Sequence, residues 1–113
     1  MRGLPKLSRR LVLEAPQRLP DGAGGFVQSW GPLGSMYAEV LPGSGREVAG
    51  QSVALSRLSY RITVRGAPVG ASFRPKPDQR FREGDRIFRI LAVTERDARA
   101  AYLTCYAEEE GAA

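Results

Sequence analysis

Apolar and polar residues alternate with a period of two through much of the chain, and no stretch sustains a helical period. The clearest case is Leu58–Arg65. Leu58, Tyr60, Ile62 and Val64 form one face, and Ser59, Arg61, Thr63 and Arg65 form the other. This predicts a strand with one wet or partner-facing side. Residues 7–14 read the same way, with Leu7, Leu11 and Leu13 opposite Ser8, Arg10 and Val12, and Pro16 is expected to end that strand. Phe26–Trp30 predicts a short strand broken by Gly31-Pro32. Ser35–Leu41 resumes, with Met36, Ala38 and Val40 alternating against Tyr37, Glu39 and Leu41. Arg86–Thr94 has apolar residues on both faces and is expected to be buried on both sides. Ala101–Ala107 predicts the last strand, and Ala71–Arg74 and Gln79–Phe81 predict brief pairings.

Turn chemistry separates these runs. The cluster Leu19-Pro20-Asp21-Gly22-Ala23-Gly24-Gly25 favours positive φ and resists any regular element. Glu83-Gly84-Asp85 predicts a tight turn. Residues 43–57 form a long loop rich in small residues; a short helix from Arg46 capped by Ser44 is weakened by Gly50. With 13 glycines and 8 prolines the chain is cut into short pieces. The fold class that follows is all-β: a small antiparallel β-barrel or sandwich of about six to seven short strands with one long loop. One domain is expected over residues 1–113, with a core from 6 to 107 and a flexible tail at 108–113.

Composition narrows the chemistry. The 113 residues contain no histidine and one cysteine, Cys105. A Ser-His-Asp triad, a Cys-His pair, a Cys/His zinc site and an intrachain disulfide are therefore excluded, and no enzyme activity, cofactor or metal is expected. No apolar run exceeds four residues, as in Ile90–Val93, so no helical membrane span is expected. Leu11-Val12-Leu13 is too short for a signal peptide, which implies retention in the compartment of synthesis. The formal charge is +5, and all basic residues except Lys6 and Lys76 are arginine, whose fork suits carboxylate and phosphate.

Several residues carry candidate roles. Arg61 and Arg65 share a strand face, and Arg86 and Arg89 lie on a later strand. They read either as a phosphate- or partner-binding face or as a solvated face with local ion pairs. Tyr102 and Tyr106 offer stacking surfaces, though packing explains them as well. Trp30 is expected to close the core beside the glycine turn, and Cys105 to be a buried structural thiol. Glu83 and Asp85 fit turn chemistry better than a divalent cation site. In the loop, Gly43, Ser44, Gly45, Ala49, Gly50, Ser52 and Ala54 present almost no bulk, and only Arg46, Glu47 and Arg57 carry charge; with Gln51 between, the segment reads from composition as a mobile surface loop first, or as a strip able to pack closely near a symmetry axis.

In order along the chain stand Leu11-Val12-Leu13, the Asp21–Gly25 turn before Trp30, Tyr37-Ala38-Glu39-Val40 and Ser44-Gly45-Arg46-Glu47. Tyr60–Arg65, Gly84–Val93 and Leu103-Thr104-Cys105 follow. This ordered set, over about residues 7–107, resembles the head–tail adaptor or head-closure (stopper) family of long-tailed phages and gene transfer agents. Gly66–Pro77 is richer in glycine and proline than that pattern.

The resemblance implies a β-barrel assembled into a ring, twelve-fold to match a portal, with loop 43–57 facing a channel that passes double-stranded DNA. Its implied partners are copies of itself, the portal or adaptor ring, and tail-terminator or tail tube proteins. The implied location is the particle neck, with the bacterial cytoplasm as the place of assembly. The separated charge along the chain adds the expectation that the acidic end of one subunit, or of an adjoining ring, with Glu108, Glu109 and Glu110, meets Arg61, Arg65, Arg86 and Arg89 of the next, a heterologous contact. The alternatives are a free-standing nucleic-acid-binding module using those four arginines, or a tail-terminator ring protein.

Overall fold

The computed structural model describes residues 3–43 and 58–111. Among the described residues six strands form: β1 (Arg9–Pro20), β2 (Phe26–Pro42), β3 (Leu58–Arg65), β4 (Arg80–Glu83), β5 (Arg86–Glu95) and β6 (Tyr102–Glu110). All neighbours are antiparallel, and the sheet closes on itself in the order β1-β2-β3-β6-β5-β4.

Closure gives every strand one inner face, and the alternation read from the sequence assigns it. Leu11 and Leu13, Ala38, Ile62 and Val64, Phe81, Phe88 and Ile90, and Leu103 and Cys105 are completely buried inside. Met36, Val40, Tyr60 and Val93 pack against them from the edges. Each large apolar side chain removed from water contributes about 1.5–3 kcal/mol, so this interior is the main source of stability. The Cys105 thiol lies within it, and burial pushes its pKa up to about 12.

Several expectations are corrected. β1 does not end at Pro16 but runs to Pro20, and Phe26–Pro42 is one strand rather than two. The reason lies in the pairing. β4 pairs with β1 only over Val12–Glu14, so Pro16 and Pro20 stand where β1 has a single neighbour. There a residue without an N–H is tolerated. Gly31-Pro32 is carried across by a register shift opposite Leu13/Glu14, with Gly34 at φ 153°. Residues 71–74 form turns rather than a strand, with Ala71 N–H donating to Pro68 O and Arg74 N–H to Ala71 O.

β5 is buried on its inner side only: Leu91 on the outer face is 50% exposed, because a closed sheet offers one interior. Trp30 does not close the core. It is half-buried on the outer face, where the Arg80 guanidinium lies 4.2 Å from its ring centroid. The tail expected to be flexible from residue 108 is strand through Glu110, paired with both β3 and β5.

Candidate functional site

One end of the closed sheet gathers charge. Extending each inner face by one alternation leads from core to ion pair: Leu13 and Leu11 to Arg9, Phe81 to Glu83, Ile90 and Phe88 to Arg86, Cys105 and Ala107 to Glu109. Ile62 leads likewise to Tyr60. These residues meet as a chain of contacts. Arg9 Nε donates to Glu83 Oε2 at 3.0 Å and Arg9 Nη2 to Glu83 Oε1. Arg86 Nε and Nη2 donate to the two oxygens of Glu109 at 2.8 and 3.1 Å. Arg86 Nη2 also reaches the Tyr60 hydroxyl at 3.3 Å, and the Tyr60 ring stands edge-on to Phe88 with centroids 5.2 Å apart.

The pairing fixes protonation. The Arg9 hydrogen bond outweighs burial and holds the Glu83 carboxyl below its ordinary value. Arg86 does the same for Glu109, and burial raises the Tyr60 hydroxyl. All four charged groups are thus fully ionised near neutrality. Bidentate arginine–carboxylate geometry makes the rim stiff as well as neutral overall.

Segment 44–57 leaves from this same rim. Pro42 faces Tyr60 in the β2–β3 register, and Leu58 faces Glu109. Gly43 N–H donates to Ser59 O at 2.7 Å, which clasps the two ends of the segment together. Of the loop residues singled out from the sequence, Gly43 is described. Ser44, Gly45, Arg46, Glu47, Gln51, Ser52 and Arg57 lie outside the described residues.

Of the arginines expected to act together, Arg86 is set apart from the other three. Arg86 points into the rim, whereas Arg61, Arg65 and Arg89 lie on the outer face. β6 runs between Arg61 and Arg89 and carries Tyr106 and Glu108 on that face. Arg89 is 3.7 Å from Asp78 at the surface, and Arg65 lies 5.8 Å from the Tyr102 ring centroid. Arg61 is half-buried between Leu41 and Tyr106, and its Nε is buried without a hydrogen-bond partner. It lines a hollow of about 280 Å³ with Leu4, Pro5, Glu39 and Arg96, beneath the N-terminal segment. Of the acidic end, Glu109 is taken up by Arg86 of its own chain, Glu108 stands opposite Arg89 in register, and Glu110 is exposed. Among the described residues no group of His, Cys, Asp or Glu could hold a metal ion.

Sequence reasoning missed a second cluster. Glu14 is buried and accepts from Arg80 Nε at 2.7 Å and Arg82 Nε at 2.9 Å. Burial alone would raise its pKa; Arg82 and Arg80 together lower it. The rim was legible in principle, because Arg9, Tyr60, Arg86 and Glu109 keep the core period. The Glu14 cluster was not, since it depends on the β1–β4 register.

The sequence profile of the phage head completion protein family matches residues 3–110, nearly the whole chain. The chain belongs to that family. Among solved structures, a chain in the virion of a native gene transfer agent particle is 55% identical, with a TM-score of 0.78 over 97% of this chain and 100% of that one. The protein SF1141 from Shigella flexneri 2a shares the fold, with a TM-score of 0.70 at 19% identity over 97% and 98% of the two chains. No curated protein sequence matches. The head completion family is thus the group that the ordered strands, the glycine turn and the Ser-Gly-Arg-Glu run resembled.

Proposed function

We propose that this head completion protein is a structural, non-catalytic component of the neck of a phage-like or gene transfer agent particle. Copies of it form a ring, twelve-fold to match a portal, that joins the portal or adaptor ring to the tail. Residues 43–57 face the channel and help retain packaged DNA. The observation that carries this reading is the end-to-end likeness to a chain of a native gene transfer agent virion.

Two features of the geometry support it. The rim from which segment 44–57 departs is stiffened and neutralised by its own ion pairs, a suitable frame for a segment beside a polyanion that must slide. A strongly cationic rim would instead hold DNA, since each neutralised phosphate adds affinity. The turning of Arg86 into the rim, with Tyr106 and Glu108 of β6 between Arg61 and Arg89, also disfavours the free-standing nucleic-acid-binding module, which needs a continuous basic face. Arg61, Arg65, Arg89 and Glu110 remain contact residues toward neighbours in this proposal.

The test is electron microscopy of particles from cells with and without the gene. The expected result is a ring of density between portal and tail that fits this fold and disappears with the gene, leaving heads that lose DNA or lack tails. Intact, filled, tailed particles without the protein would refute the proposal, as would its density at a site away from the neck.

A further inference from the structure

Beyond Glu14 and opposite it, β1 and β2 leave the closed sheet as a two-stranded arm. β4 pairs with β1 only to Glu14, and β3 pairs with β2 only from Ala38. The hairpin nevertheless continues in unbroken register to Pro20↔Phe26. Every residue of Pro16–Pro20 and of Phe26–Gln28 is exposed. Two-stranded ribbons are marginal alone in water and are ordinarily kept by a partner.

The arm is also apolar where a solvated ribbon would be polar. Phe26 is 58% exposed, Val27 50% and Leu19 44%. Leu19 and Val27 are register partners, so they make one apolar step on one face of the tip, whereas Phe26 lies on the opposite face with the Arg18 guanidinium 4.4 Å from its ring centroid. The strand edges of the arm carry Pro16, Pro20 and Pro32, which discourages pairing with a further strand. Its side-chain faces, rather than its edges, are therefore the docking surfaces.

A fitting receptor lies on the body of the same fold. A groove of about 520 Å³ is lined by Leu7, Met36, Tyr37, Ala67 and Phe73, with Arg65 at its margin. Tyr37 and Phe73 are about half exposed there. Phe26 and Tyr37 sit eleven positions apart on β2, which places tip and groove roughly 35 Å apart. The arm cannot fold back onto its own groove. The charges are opposite in sign: the tip turn carries Asp21, whose carboxylate is held by the N–H groups of Ala23 and Gly25, and the groove carries Arg65. Those backbone hydrogen bonds also lower the Asp21 pKa, so its carboxylate stays ionised.

We propose that the β1–β2 arm of one copy docks into the Leu7/Met36/Tyr37/Phe73 groove of the next copy, with the Leu19/Val27 face entering and Asp21 meeting Arg65. Different patches on the two partners make the contact heterologous, the kind that propagates around a ring. This deepens the ring reading and rests on it.

The test uses intact particles carrying Val27→Cys and Phe73→Cys together, or either alone, treated with a short bis-maleimide. Cys105 is buried and does not compete. The double variant is expected to give a ladder of dimers, trimers and higher multimers of this chain. The single variants are expected to give none. Leu19→Asp with Val27→Asp should keep the melting temperature of the isolated chain within a few degrees and abolish its incorporation into particles. Absence of the ladder while neck density persists overturns the arm contact and leaves the ring reading standing. So does a ladder from Val27→Cys alone, which would mean arm-to-arm contact, or normal incorporation of the Asp variant. Absence of neck density in the parent particle overturns both.

Discussion

Glu14→Gln is the sharpest probe of how the charged residues support the fold. The Glu14 side chain is only 7% exposed and accepts from Arg80 and Arg82. A hydrogen bond to a charged group contributes about 1.5–3 kcal/mol. The Arg80 leg should approach that range, because Arg80 is 18% exposed and lies against Trp30. The Arg82 leg is weaker: Arg82 is 41% exposed, and solvent screening leaves such a pair on the order of 0.5 kcal/mol. Glutamine keeps the shape and one acceptor but removes the charge, so a net loss of about 2 kcal/mol is expected at pH 7. For a domain of this size that is roughly 8 °C in melting temperature.

The pH dependence fixes the sign. The folded Glu14 carboxyl titrates below its ordinary value of 4.5, so its stabilisation is present above that value. It is lost as pH falls through the lowered folded value, where protonation makes the parent resemble the glutamine variant. Urea unfolding of both proteins at pH 7 and in the acid limb, with Arg80→Gln completing a double-mutant cycle, measures this. A cost under about 0.5 kcal/mol at pH 7, or no coupling between Glu14 and Arg80, would refute the assignment.

Three further outcomes follow from the packing of the sheet. Gly66→Ala should destabilise strongly, because a Cβ there collides with the Ala100 carbonyl oxygen while Gly66 N–H is held by Ala101 O at 2.8 Å; thermal unfolding would show it. The Cys105 thiol, with its pKa pushed to about 12 inside the core, should resist a thiol reagent at pH 8 in the native protein. It should react fully in denaturant. Glu109→Gln should lower stability by about 1 kcal/mol, since it strips Arg86 of its charged partner at a partly solvated rim. Because the Glu109 carboxyl titrates below its ordinary value, the difference from the parent should shrink as pH falls through that lowered value.

The inner faces were legible because closure of a sheet demands what alternation states: one apolar side per strand. Leu58–Arg65 and Ser35–Leu41 were placed by that rule alone, whereas Arg86–Thr94, apolar on both faces, took its single inner side only from the closure. Where the reading stopped short, proline was the cause. Pro16 and Pro32 look like terminators in one dimension, and only the pairing shows that the first stands on a free edge and the second beside a register shift. The arm was invisible for that reason. Trp30 was misplaced because its face inverts across the same shift. The acidic end looked like a solvated tail, yet Glu109 keeps the period of Leu103, Cys105 and Ala107 and finds Arg86, a partner that only the β5–β6 register brings near.

The clasp at Gly43 separates folding from function in a way that can be measured. Gly43 N–H to Ser59 O, with Pro42 opposite Tyr60, closes the base of segment 44–57 using residues that belong to the sheet. Loop closure costs only about 0.6 kcal/mol for each doubling of length. Replacing residues 44–57 by Asn-Gly shortens the connection by nearly three doublings, so stability should stay level or rise by about 1–2 kcal/mol. The Arg9–Glu83 and Arg86–Glu109 pairs lie outside the excised stretch and should persist, which near-ultraviolet circular dichroism and unfolding would verify. If residues 43–57 line the DNA channel, the same excision should leave the ring assembled at the neck while heads lose DNA. A variant that unfolds would mean that the sheet depends on the segment. A variant that folds, assembles and retains DNA normally would remove the segment from the retention mechanism and leave the chain as a joint alone.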